Sequence, residues 1–440
     1  MNRSTFIAGL VVLAAAAFFP QGAHAEEWKL TLEQSVGRAL EENRDIATAR
    51  ERLNEVIGMK GEARSMGLPQ LTATGSYSRT WRRPEMIING QKVEIGSNNY
   101  FQASAAVSQL LWDGGRVVKA VKAARTEELR GIETIRDAEE MVRFQVKQTY
   151  YQSLYMEKVI EVLERQLGTL KGHLGAIQTR YEKGIDSDYA LMRQQVEVAN
   201  IEPELIEAKR VNELLLNSLK VLLAIPPEDK FVPSDQFAYS ARHTPEPEEL
   251  AARAKSDRPD LAAEKLREQS LVQNVGVEKA GYWPTLSFNT SWQWQAYSGD
   301  WSITSNERTD SFQTGVGLSW AIFDGLKTAS RVRQAKAKLL QQHYQTAQMQ
   351  DVVAKEVLDA RETLMRARQT LATQKTSYAT ARRATAIAGE RFEAGLMSQI
   401  ELNDTITQQA RAEQLYLQAT LDCLTAEAAL EKAVGGQLWK

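Results

Sequence analysis

Thr285-Leu286-Ser287-Phe288-Asn289-Thr290-Ser291-Trp292-Gln293-Trp294 carries the clearest structural signal in the chain, because its residues alternate in polarity. Leu286, Phe288, Thr290, Trp292 and Trp294 fall on one side, and Ser287, Asn289, Ser291 and Gln293 on the other. Period two is the period of a β-strand. One face is aromatic and aliphatic; the other carries hydroxyls and amides without charge. Three further segments share the pattern. Leu71, Ala73, Gly75, Tyr77 and Trp81 alternate with Thr72, Thr74, Ser76, Ser78 and Thr80. Phe101, Ala103, Ala105 and Val107 alternate with Gln102, Ser104, Ala106 and Ser108, and Phe312, Thr314, Val316, Leu318 and Trp320 with Gln313, Gly315, Gly317 and Ser319.

Strands of this length cross a bilayer when tilted, at ~9–11 residues per crossing. On that reading Leu71, Tyr77, Phe101, Val107, Leu286, Phe288, Trp292, Phe312, Val316 and Leu318 face lipid, and the polar side lines water. The alternative for the pattern alone is a soluble sandwich. Seven of the nine tryptophans lie between Trp81 and Trp320, as an interfacial aromatic girdle requires. Four strands cannot close a barrel, since ~8 are needed to enclose an interior. Closure therefore demands strands from several copies of the chain. The polar stretches 82–98 and 296–310 read as loops joining the strands.

Beyond the strands the period changes. From Arg116 to Lys183 there is no proline, and Met156, Ile160, Leu163, Leu167, Leu170, Leu174, Ile177 and Tyr181 step by four and three, the spacing of a coiled coil. A helix of that extent reaches ~100 Å. The second half repeats the seam with smaller residues: Val353, Val357, Ala360, Leu364, Ala367 and Leu371. Returning helices are expected over 187–224 and 398–434, with Pro203 kinking the first. Gly184 and Gly395 mark the breaks, where a tight turn between long helices needs a residue without a Cβ.

These features occur twice. Arg180-Tyr181-Glu182-Lys183-Gly184 returns as Arg391-Phe392-Glu393-Ala394-Gly395, and Asp113-Gly114 as Asp324-Gly325, each 211 residues on. Pro69-Gln70-Leu71 matches Pro284-Thr285-Leu286 at an offset of 215. The chain is a tandem duplication. Its expected layout is a leader over 1–25, a first repeat over 26–225, a proline-rich connecting segment over 226–258 with one short helix near Pro247, and a second repeat over 259–440. Each repeat carries a moderate helix, two strands and two long helices.

The leader rests on Asn2-Arg3, the apolar run Phe6 to Phe19, and Ala23-His24-Ala25 before Glu26, the signature of a cleaved export signal. No later stretch is apolar enough for a membrane helix, so any spanning part must be a closed barrel. Cys423 is the only cysteine, which excludes an intramolecular disulfide. A net charge of −2 offers nucleic acid no basic surface. Beyond the leader the histidines are His173, His243 and His343, with no nucleophile elbow, phosphate loop or metal-ligand spacing. The reading is therefore of a non-enzyme without metal or cofactor.

The duplicated layout, the Leu68-Pro69-Gln70-Leu71 opening of the strands, the Asp-Gly after each second strand and the Arg-aromatic-x-x-Gly helix break together resemble the TolC-like outer-membrane efflux protein family, over essentially the whole processed chain. The resemblance implies a mainly α fold with a small β part: a homotrimer sharing one twelve-stranded transmembrane barrel, continued by an α-barrel tunnel through the periplasm. It implies docking to a periplasmic adaptor and an inner-membrane pump, in a tripartite efflux or type I secretion system. Arg180, Gly184, Ser187, Leu191, Arg391, Gly395, Ser398 and Leu402 would then form the adaptor-docking hairpin tips, and Glu401 and Asp404 the acidic rings at the aperture. Tyr189, Ala190, Phe392 and Met397 depart from the family's ion-pair locks, so closure is expected to rest on apolar packing and the acid ring. A periplasmic coiled-coil adaptor or scaffold is the alternative; it explains the helices and the export signal but not the strands.

Overall fold

The computed structural model describes residues 26–301 and 308–439; the expected leader lies outside the described residues. In chain order the elements are β1 (Glu27–Leu30), α1 (Leu32–Glu42), α2 (Arg44–Ser65), β2 (Gln70–Arg79), β3 (Glu85–Ile88), β4 (Gln91–Glu94), β5 (Asn99–Trp112), α3 (Arg116–Glu182) and α4 (Asp188–Leu222). Then follow β6 (Lys230–Pro233), α5 (Pro247–Asp257), α6 (Pro259–Lys279), a 3-10 turn at Ala280–Tyr282, β7 (Thr285–Ser298), β8 (Arg308–Ser319), α7 (Lys327–Glu393) and α8 (Gln399–Val434).

α3 and α7 each run 67 residues. Leu163, Leu170 and Ile177 of the α3 seam are buried, as are Val353, Val357, Leu364 and Ala367 of the α7 seam. α4 is helical without interruption across Pro203. Both long helices start the same way. The Asp113 carboxylate accepts from Val117 N at 2.8 Å, and the Asp324 carboxylate accepts from Thr328 N at 2.8 Å and Thr328 Oγ1 at 2.6 Å. These bonds satisfy amides that a helix start leaves unpaired, which is the physical reason for the repeated Asp-Gly.

The expected single moderate helix is a pair in each repeat. α1 breaks from α2 at Asn43, whose side chain accepts from Asp45 N at 2.8 Å. α5 breaks from α6 at Arg258, held extended because Pro259 follows. α5 begins 215 residues after α1, so the segment read as a connector, 226–258, contains the first helix of the second repeat. It also contains β6, which pairs in parallel with β1; the Asp229 carboxylate joins them by accepting from Glu26 N at 3.0 Å and Trp28 Nε1 at 2.9 Å. The 82–98 loop is likewise a hairpin, β3–β4, turned by Asn89 and Gly90, both at positive φ as a two-residue hairpin turn needs.

Two buried cores sit midway along the long helices and repeat the duplication. The first gathers Ala39, Val142, Val146, Leu219 and Leu223; the second gathers Ala254, Val353, Val357, Leu430 and Val434. The first adds Phe231 of β6 and Tyr150, whose hydroxyl donates to Leu30 O at 3.0 Å and accepts from Ser234 N at 3.1 Å. Burial pushes the Tyr150 phenol up to about 12, so it stays a neutral donor.

Candidate channel elements

The four alternating segments form one antiparallel sheet in the order β2-β5-β7-β8. Its register puts Leu71 opposite Val107, Tyr77 opposite Phe101, Phe288 opposite Val316, Trp292 opposite Phe312, and Leu286 opposite Leu318; Ala105 lies opposite Trp292. All ten residues expected to face lipid therefore share one side. The other side pairs Thr74 with Ser104 and Ser291 with Gln313, and the Thr74 and Ser104 hydroxyls bond at 2.7 Å. β2 and β8 are edges, and every residue of both is exposed in the single chain. A soluble sandwich buries one face of each strand; these two strands bury neither.

Tryptophans stand at both ends of the sheet. Trp112 meets Trp283 edge-on at 6.2 Å and Trp320 Nε1 donates to Tyr282 O at 3.1 Å beside the long helices. At the other end Tyr77 packs on Trp301 at 5.1 Å, and Arg79 lies over Trp81. Trp81 and Trp320, read as strand residues, fall just beyond β2 and β8.

The hairpin tips are built on one turn. Gly184 and Gly395 have φ of +74° and +72°. Ile185 N donates to Arg180 O at 2.9 Å, and Leu396 N to Arg391 O at 2.8 Å. This is a Schellman closure, in which glycine relieves the steric cost of the left-handed residue. Ser187 and Ser398 then cap α4 and α8. Arg180 pairs with Asp186 at 3.2 Å. Ile185, Tyr189, Leu396 and Ile400 are among the exposed apolar residues of the tips. Leu191 is half-buried. Leu402 was expected to offer docking surface and is instead buried, because it points to the packed side of α8.

Glu401 has a local partner. It closes a capping box: Ser398 Oγ accepts from Glu401 N at 3.3 Å while the Glu401 carboxylate accepts from Ser398 N at 2.9 Å. Hydrogen bonds from the Ser398 backbone and then its hydroxyl hold the Glu401 carboxyl below its ordinary value. The Ser-x-x-Glu spacing was legible as a capping box. Asp404 is exposed on the same side of α8, and Leu402 and Asn403 between the acids are buried. Asn403 bonds Gln194 of α4 at 2.7 Å, a contact across 209 residues that no local pattern announces.

Elsewhere, a cleft of about 860 Å³ lies under the connecting segment, lined by Leu40, Tyr151, Tyr239 and Trp439 among others. Its central charges are mutually satisfied: Lys147 pairs with Glu431, and Glu427 with Arg368 at 3.0 Å. Among the described residues no cluster of His, Cys, Asp or Glu is placed to hold a metal, and no helix is long and apolar enough to cross a membrane.

The sequence matches the family described as "Outer membrane efflux protein" over residues 36–224 and 250–436. It is 23% identical over 436 residues to the outer membrane efflux protein BepC of Brucella suis biovar 1, covering 98% of this chain and 90% of that one. It is 26% identical over 332 residues to the pyoverdine export outer membrane protein OpmQ of Pseudomonas putida, covering 72% and 67%. The fold matches the CmeC outer membrane channel of Campylobacter jejuni with a TM-score of 0.78 at 20% identity, over 92% of this chain and 85% of that one. It matches the outer membrane protein VceC of Vibrio cholerae with a TM-score of 0.74 at 17% identity, over 92% and 96%. The duplicated hairpins, the two-faced sheet and these matches agree: the chain belongs to the outer membrane efflux protein family, channels of the Gram-negative outer membrane rather than enzymes.

Proposed function

We propose that three copies of this chain close one twelve-stranded barrel through the outer membrane and continue as an α-helical tunnel into the periplasm, exporting solutes as the outer component of a tripartite efflux or type I secretion system. One observation carries the reading: a four-stranded sheet with one mainly apolar face and both edges unpaired. Lipid would cover the apolar face, water the polar face, and the edges β2 and β8 would pair between copies, since an open edge in lipid leaves backbone groups unsatisfied.

The tips around Gly184 and Gly395 are the part farthest from the sheet along α3 and α7, where a periplasmic adaptor and, through it, an inner-membrane pump would engage. Their exposed Ile185, Tyr189, Leu396 and Ile400 supply apolar surface for that contact. Glu401 and Asp404 in three copies would ring the aperture and favour cations. A scaffold reading has no use for the two-faced sheet.

Extraction in mild detergent followed by native mass measurement should give a trimer that conducts in planar bilayers. Its cation preference should fall when Glu401 and Asp404 are both replaced by Ala. A folded monomer with full strand content would sink the shared barrel, and an unchanged preference would remove the acids from the aperture.

A further inference from the structure

Gln194 and Asn403 are 1% and 6% exposed, and their amides form a relay through three helices. Gln194 Nε2 donates to Leu170 O of α3 at 3.0 Å, Asn403 Nδ2 donates to Gln194 Oε1 at 2.7 Å, and Gln399 Nε2 donates to Asn403 Oδ1 at 3.0 Å. Leu170, which supplies the carbonyl, Val198, one turn after Gln194, and Leu402, next to Asn403, are buried and apolar. An apolar pair would fill such a site at least as stably, so a satisfied amide pair there serves to select one register, as a single buried asparagine does in a coiled coil.

The hairpins α3–α4 and α7–α8 have few other directional links near their tips. Among the described residues, His173 meets Phe392 edge-on at 6.2 Å, and the next ion pair between hairpins, Arg165 to Glu413 at 3.0 Å, lies about 15 Å farther along α8. The Arg180–Asp186 pair stays within one tip. The bond therefore fixes the rotation of α8 where it matters, because each residue turns a helix by roughly 100°. Asn403 points inward, so Glu401 and Asp404, two before and one after it, are held on the outer side.

We infer that the Gln194–Asn403 relay is a positioning device that docks the α8 tip against α4 and sets where the Glu401 and Asp404 carboxylates stand. This rests on the aperture reading of those acids and replaces the expectation that closure depends on apolar packing and the acid ring alone. Removing one partner leaves a buried amide unpaired, enough to shift the docked-to-undocked balance about tenfold.

The test uses the full-length assembled protein. Nitroxide labels at Tyr189→Cys and Ile400→Cys, in a Cys423→Ala background diluted with unlabelled copies, report the spacing of the tips by pulsed electron resonance. The relay is removed by Asn403→Leu alone and by Gln194→Met with Asn403→Leu, the pair leaving no fully buried amide unpaired, since Gln399 is only half-buried and can turn to water, and so preserving the fold. Both variants should lose the single narrow distance, and bilayer recordings of the pair, made without labels, should show raised conductance with loss of cation preference. A narrow, unshifted distance in the double variant overturns the inference. So does a cation preference that survives relay removal while the Glu401→Ala, Asp404→Ala channel loses it. If the acid variant keeps its preference, the aperture reading fails, and the distance measurement alone then decides whether the relay docks the tips.

Discussion

The first and second repeats share a backbone and differ in how they hold it. Asp113 and Asp324 cap the long helices with one geometry, and Gly184 and Gly395 end them with another. Side chains have diverged around these points. The left-handed residue before α3 is Gly115, with φ +81°, and before α7 it is Leu326, with φ +68°. Asn43 donates to Leu222 O at 2.9 Å where Arg258 donates to Ala433 O at 3.3 Å, so an amide and a guanidinium tie the α1–α2 and α5–α6 elbows to the returning helices. Arg258 also pairs with Asp260 and Glu356, each at 2.6 Å. Duplication preserved what the backbone requires and left the means of satisfying it free.

The sheet offers the sharpest way to break that equivalence. Ala105 of the central β5 and Val316 of the edge β8 are 211 residues apart and lie on the same face. If copies pair their edges, Ala105→Arg and Val316→Arg should each cost ~2–4 kcal/mol near the membrane midplane, while Gln313→Arg on the polar face is tolerated. Denaturant midpoints of the folded oligomer measure this. A much smaller cost at Val316 than at Ala105 would mean that β8 stays an edge.

The junctions come next. A non-glycine residue in the left-handed region costs about 1–2 kcal/mol, and nothing lies within 4 Å of a Cβ built on Gly115. Gly115→Leu should therefore lose that amount through conformation alone, whereas Leu326→Gly should gain up to ~1 kcal/mol after the entropy of glycine is subtracted. Thermal melts of the two variants should move in opposite directions; movement in the same direction would show that the two junctions are not the same device.

The smallest difference is titratable. Glu401 closes a capping box on α8, and Ala190 leaves α4 without one. Its carboxyl is held low in the folded chain, so its contribution is present above the unfolded value, roughly 4.3, and is lost as pH falls through the lower folded value. Hydrogen exchange in the first turn of α8, corrected for intrinsic rates, should quicken between pH 5 and pH 3 relative to α4, and Glu401→Gln should abolish that dependence. Parallel behaviour of the two turns would remove the box as a source of asymmetry.

Period, seam and turn were readable from the chain because each is a local property repeated every few residues. Alternation around Phe288 places side chains on opposite faces of any extended backbone, and a proline-free seam from Met156 to Ile177 can bury only one stripe of a helix. The glycines at 184 and 395 follow from sterics within one residue. Strands four residues long escaped this logic: β1 and β6 are too short to show a period, and 203 residues separate Glu27 from its partner Lys230. The hairpin at Asn89-Gly90 was visible in principle, but the polar composition around it outweighed the turn signal.

Local chain pattern specifies the set of parts: two-faced strands, long paired helices, and a duplicated order ending at glycine. Packing in three dimensions selects which distant parts meet. It set β5 beside β7 and left β2 and β8 open, assigned α5 to the second repeat's packing on α7, and brought Gln194 onto Asn403. The two differ in range. Torsional preference and amphipathic spacing act within a turn or two of chain, whereas the choice among polar partners some 200 residues apart is made by the packing that buries them together, where pairing offsets the cost of taking an amide out of water.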